Sequence, residues 1–156
     1  MPPPSHNSKD TPLMSPPLGA RLPGRPALPL ELLPDTIAIC RLPAGTSLPA
    51  WAHPSSTFLT VTWTAEELSI TTVQHAVPPG LPCERDYRAL RVRGPLPLDL
   101  IGILAAMADP LAEAGLGIFA ISTYDTDYVL VKARDLDVAL VALERAGHRI
   151  QRLERL

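Results

Sequence analysis

No stretch of this 156-residue chain is apolar for the roughly 18 residues that a membrane span requires. The opening MPPPSHNSKD has no apolar core behind a basic start, so it does not read as a secretory signal, and a cytoplasmic location is expected. Charge is sparse and mixed: 14 Lys+Arg against 16 Asp+Glu give a formal net charge of -2. There is no basic stripe of the kind that nucleic acid or an anionic membrane demands, so neither is expected as a partner. Cysteine is nearly absent, at two residues. Cys40 and Cys83 are too few for a disulfide scaffold and read as free thiols in a reducing compartment. The four histidines, His6, His53, His75 and His148, are scattered, with no metal-ligand spacing to the cysteines. Gly-rich phosphate loops and G-x-S-x-G are missing, the cysteines have no histidine near them in sequence, and Ser122 lies near carboxylates only. No catalytic residue, metal or cofactor is expected from these absences.

Proline, by contrast, is abundant: 19 in all, ten of them in residues 1–34. The segment 1–26 is Pro-rich, free of aromatics and almost free of β-branched residues. Such a composition buries too little apolar surface to offset its ordering entropy, which predicts a disordered tail.

Beyond the tail the hydrophobic periods are readable. Residues 29–33 form an extended lead-in, and TIAICRL (36–42) is a strand ending at Pro43. SLPAWA (47–52) begins with a good cap, Ser47, and reads as one helical turn. Residues 56–63 and 68–73 form two strands about a short bend, and VPPGLP (77–82) is a rigid loop. Residues 87–94 alternate, with Leu90 and Val92 toward a core. Leu98, Ile101, Leu104, Ala108 and Leu111 recur at helical spacing and predict a helix over 98–114, kinked near Pro110 and stopped by Gly115. Residues 117–122 and 128–132 are strands. Asp135 is the expected cap of a second helix with Leu136, Ala139, Leu140 and Leu143 as its buried stripe, and HRIQRLERL ends in a weak strand. Strand–helix–strand–strand–helix–strand is the ferredoxin-like split βαβ, an α+β fold with both helices on one face of an antiparallel sheet.

A shift of 60 residues lays VTWTAEELSITTV (61–73) on ISTYDTDYVLVKA (121–133). The first half then reads as a truncated copy of the second, without its second helix.

The bend between the last two hairpin strands, STYDTD (122–127), gathers hydroxyls and carboxylates and has no glycine. Two readings stand side by side. Asp125, Asp127, Ser122 and Thr123 can satisfy local backbone groups as Asx and ST turns. Alternatively, Asp127 with Ser122 and Thr123 faces the ammonium, or a cationic side chain, of an amino-acid zwitterion. Its carboxylate would then take the free N–H groups of residues 98–100 at the expected helix start. Gly94, in the loop Gly94-Pro95-Leu96-Pro97, would let a ligand approach the backbone. Loop and bend need not share one edge of a subunit, and a pairing of units would join them.

STYDTDYVLVKARDL (122–136), with GPLPLDLIGILA (94–105), PLAEAG (110–115), AICRLP (38–43) and EELSI (66–70), resembles the small bacterial tandem ACT-domain proteins. These are similar to the ACT domains of the animal cytosolic arginine sensors and of aspartate kinases. The resemblance spans about 30–150. It implies two ACT units, the first truncated (27–82) and the second complete (83–156), with an amino-acid site in the groove between units and no active site. The ligand-binding residues it points to are Gly94, Pro95, Leu96, Leu98, Ser122, Thr123, Tyr124 and Asp127. The expected function is a non-catalytic amino-acid sensor acting as a homodimer, with a protein partner downstream. The alternative is a structural or partner-binding ACT module without a ligand.

Overall fold

The computed structural model describes residues 25–54 and 57–155. The segment 1–24, and the disorder expected of it, lie outside the described residues. Arg25, placed in the tail by composition, already packs: it pairs with Asp109 and donates to the Ala105 carbonyl. The elements, in order, are β1 (Pro29–Pro43), β2 (Leu59–Trp63), β3 (Glu67–Val73), β4 (Cys83–Val92), α1 (Ile103–Glu113), β5 (Phe119–Ser122), β6 (Asp127–Lys132), α2 (Leu136–Arg145) and β7 (Arg149–Arg152).

All seven strands join one sheet, ordered β2-β3-β1-β4-β6-β5, with β7 paired to β1. From β4 to β7 the chain follows the ferredoxin-like order, and α1 and α2 cover one face. Leu90 and Val92 of β4, Val129 and Val131 of β6, and Leu30 and Leu32 of β1 pack there against Met107, Leu111, Ala139 and Leu143 of the helices, all 3% exposed or less. The stripe predicted on α2 is its buried set. The opposite face buries Ile37, Phe58, Ala89 and Leu130. Phe58 meets Tyr128 edge to face, with ring centroids 5.2 Å apart.

The lead-in and first strand are one long element, β1, and its middle is where the two halves of the molecule share a backbone. Residues 29–32 pair in parallel with β7, whereas residues 37–43 pair antiparallel with β3. The switch falls at Pro34, which has no N–H to give a ladder, and the β1–β4 register shifts there, between Leu32 and Thr36. Because β4 is flanked by β1 and β6, the closing strand β7 has no free edge of β4 to join. It takes the outer edge of β1 instead.

The structure corrects several local expectations. The helix begins at Ile103, not 98. Two prolines, Pro95 and Pro97, keep the preceding backbone extended, and Gly102, at φ 82°, separates α1 from a turn at 97–100. Leu98 and Ile101 match the helical period by spacing but are 71% and 92% exposed. Residues 49–52 make a single hydrogen-bonded turn, with Ala52 N–H to the Pro49 carbonyl, and no helix. Between β1 and β2, and between β3 and β4, the described residues contain no α-helix, so the first copy lacks both helices. Asp135 precedes α2 but its side chain caps nothing. Cys40 and Cys83 are not free: they face each other across β1 and β4 and form a disulfide.

The internal repeat also needs a one-residue correction. Thr64 N–H donates to the Glu67 carbonyl at 2.9 Å and Glu67 N–H returns to Thr64 Oγ1 at 3.1 Å. Thr123 stands to Thr126 in the same relation, at 2.9 and 3.3 Å. The two hairpins therefore correspond at a shift of 59, and a shift of 60 would turn every side chain to the other face.

Candidate functional site

The loop from β4 to α1 and the bend from β5 to β6 lie against each other at one end of the sheet. Thr126 fastens them. Its side chain is buried and its hydroxyl donates to the Val92 carbonyl at 2.6 Å, at the last residue of β4. The main chain adds a second tie, from Leu96 N–H to the Asp125 carbonyl at 2.8 Å. That carbonyl passes so close to Gly94 that a Cβ on residue 94 would sit 2.9 Å from it. The bend thus requires glycine here. The Gly94–Pro95 peptide is cis.

The bend holds itself without glycine because Thr123 and Thr126 close it reciprocally, and neither Tyr124 nor Asp125 adopts positive φ. Ser122 and Asp127 are cross-strand partners, and the Ser122 hydroxyl donates to Asp127 Oδ1 at 2.6 Å. Part of the polar cluster therefore serves local satisfaction, as one of the two readings holds.

Between loop and bend opens a cleft of about 230 Å³. One wall is apolar: Leu96, Pro97, Leu98, Leu100 and Ile103. The other is the bend, residues 122–127. The structure brings Leu96, Leu98, Ser122, Thr123, Tyr124 and Asp127 into this one cleft, within a single chain and without any pairing of units. Gly94 and Pro95 do not line it; Gly94 lies in the contact that docks the bend. Pro97, Leu100, Ile103, Asp125 and Thr126 are lining residues that the sequence reading missed. Leu100 and Ile103 were hidden by the early helix start, since a helix from 98 assigns them to helix faces. Thr126 carried a usable signal, a second threonine three residues after Thr123.

Two carboxylates, Asp125 and Asp127, and no lysine, arginine or histidine occur among the lining residues. Ile103 is the first residue of α1, whose N-cap position is held by Gly102 with no side-chain cap. The first intrahelical bond runs from Ala106 N–H to the Gly102 carbonyl, so the N–H groups of residues 103–105 have no acceptor within the helix. The site thus places an apolar wall, a carboxylate rim and Ile103, the first residue of the uncapped α1, around one small volume. Among the described residues no group of three or more His, Cys, Asp or Glu is placed to hold a metal.

Residues 83–145 match the ACT-domain family model, and residues 35–80 match a second model, described as an N-terminal domain. A protein from Agobacterium tumefaciens with a crystal structure is 32% identical over 83% of this chain and 96% of its own, with a TM-score of 0.78. The chain belongs to the ACT-domain family. Other solved structures share the fold at lower identity. One is a Vibrio cholerae protein of unknown function, described as a possible transport protein (21% identity, 78% of this chain and 91% of that one, TM-score 0.61). Another is the regulatory subunit of aspartate kinase from Thermus flavus (16%, 79% and 98%, TM-score 0.51). Among curated proteins no match is found. Among the described residues of this ACT-domain protein, no helix is long and apolar enough to cross a membrane.

Proposed function

We propose that this ACT-domain protein is a non-catalytic, cytoplasmic sensor that binds a free amino acid in the cleft between the β4–α1 loop and the β5–β6 bend, and works as a homodimer. The observation that carries the reading is the cleft's composition. An ammonium finds carboxylates at the bend, and a carboxylate finds the uncapped N–H groups of α1. No histidine or lysine lines the cleft beside Ser122, whose hydroxyl donates to its cross-strand partner Asp127 within the hairpin, and this favours binding over nucleophilic chemistry. A ligand of this kind would be reported to a partner protein through the exposed loop 97–101.

A second reading, a structural or partner-binding module without a ligand, draws on one observation: Ser122, Thr123 and Thr126 are already bonded within the hairpin or to β4. A thermal-shift screen of the twenty amino acids separates the two. The sensor reading expects one of them to stabilise the fold by about 2.7 kcal/mol at 100 times its Kd. A flat screen at millimolar concentration, with flat calorimetry, removes the sensor reading. Light scattering at tens of micromolar tests the dimer, and a monomer mass there removes it.

A further inference from the structure

We infer that the ligand is a small amino acid with an uncharged, branched apolar side chain; this rests on reading the cleft as an amino-acid site and narrows it. The apolar wall is what points there. Leu98 and Leu100, which line the open cleft, are 71% and 48% exposed. Ile103, next to them, is 7% exposed and fixes the floor to the core. A ligand side chain of a few carbons would remove this surface from water, which is the main favourable term open to it. In the amino-acid reading the bend carboxylates face the ammonium and the start of α1 the carboxylate, and the ligand side chain is left to the apolar wall. Nothing polar remains on the wall to receive a charged side chain. An acidic side chain also meets two aspartates and no cation. At about 230 Å³ the cleft falls below the ~300–1,000 Å³ of sites for drug-sized ligands, which selects a small occupant.

Titration calorimetry on the full chain tests this with leucine, isoleucine and valine against glycine, lysine and aspartate. The branched apolar set is expected to bind roughly tenfold or more tightly than glycine. Lysine and aspartate should do no better than glycine. Leu98→Asn is expected to weaken leucine roughly tenfold, while Leu98→Met keeps the affinity. Leu98 is mostly exposed, so neither change touches the core, and unchanged melting of the apo variants checks that. A charged amino acid or glycine as the tightest ligand overturns the inference and leaves the amino-acid site standing. Leucine binding that is indifferent to Leu98→Asn also overturns it. Silence from all twenty amino acids removes the site reading itself.

Discussion

Gly94 and Asp127 lie a few residues from the same cleft and do different work. Gly94 lets the Asp125 carbonyl approach to where a side chain would stand, so Gly94→Ala forces loop and bend apart. The obstacle is backbone, which cannot swing away, and a cost of about 1–3 kcal/mol is expected, as in other overpacked sites. Chemical denaturation of the variant measures it. Leu96–Asp125 would weaken together with it, so ligand affinity should fall as well. Asp127 is the opposite case. Asn at this position still accepts the Ser122 hydroxyl, so stability should move by only a few tenths of a kcal/mol. Loss of the charge should cost about 1.5–3 kcal/mol of binding for any ligand whose ammonium it meets, a factor of ~10–150. Calorimetry with the best ligand of the screen reads the second effect and denaturation the first. Unchanged affinity would leave Asp127 a hairpin residue. His148 shows a third role, wholly structural: its Nδ1 accepts Leu28 N–H at 3.0 Å while Nε2 donates to the Ala106 carbonyl at 2.8 Å, tying β1, α1 and the turn before β7 together.

At the scale of elements, the pairing of β1 with β4 decides the geometry, and one charged cluster fastens it. Glu31 on β1 is 8% exposed and accepts from Arg91 Nε at 2.6 Å and Arg93 Nε at 3.0 Å, both on or just beyond β4. Arg93 also reaches Gln151 on β7. Burial alone would raise the Glu31 carboxyl, but the bonds and charges of Arg91 and Arg93 outweigh it and hold it below the ordinary carboxylate range. Because the folded value is the lower one, this cluster's contribution is complete above the unfolded value near 4.5 and is lost as pH falls through the folded one. Glu31→Gln should therefore cost stability at pH 7, about 1–2 kcal/mol. That lies under the range for fully buried pairs, since Arg91 and Arg93 are 35% and 53% exposed. The gap between variant and wild-type melting temperatures should close as pH drops from 5 toward 3. A gap that stays constant with pH would show that the pair contributes no charge-dependent stability.

For the whole molecule, the disulfide closes a loop that holds the β2–β3 hairpin. Cys40 and Cys83 are 43 residues apart in sequence, with β2 and β3 between them. In the chain-entropy account a loop of that length stabilises the fold by about 4 kcal/mol, and measured values for disulfides commonly fall at 2–4. Melting with and without a dithiol reductant should differ accordingly, and Cys83→Ala should lose its sensitivity to reductant. The strands on either side stay hydrogen-bonded, so the reduced protein is expected to remain folded. Circular dichroism of the reduced form checks that. In a reducing compartment, as proposed for this protein, the reduced form would be the relevant one.

The features legible in the chain are those carried by short-range period and punctuation. The α2 stripe of Leu136, Ala139, Leu140 and Leu143, the inward side of β4 at Leu90 and Val92, and the hairpin around a self-closing bend all follow from spacing within a dozen residues. So does the order of elements from β4 to β7, and with it the ferredoxin-like unit. What spacing could not supply was anything that depends on a distant partner. Leu98 and Ile101 keep helical spacing with the rest of α1, but the turn at Gly102 turns them to water. Cys40 and Cys83 meet only because β1 and β4 pair in one particular register. β7 joins β1 only because β4 already has a neighbour on each side. The cleft is of this second kind. Its two walls lie about 25 residues apart, and each alone is an ordinary loop. Thr126 on Val92 and Asp125 on Leu96 bring them together, and backbone hydrogen bonds of that reach are settled by packing, not by local sequence.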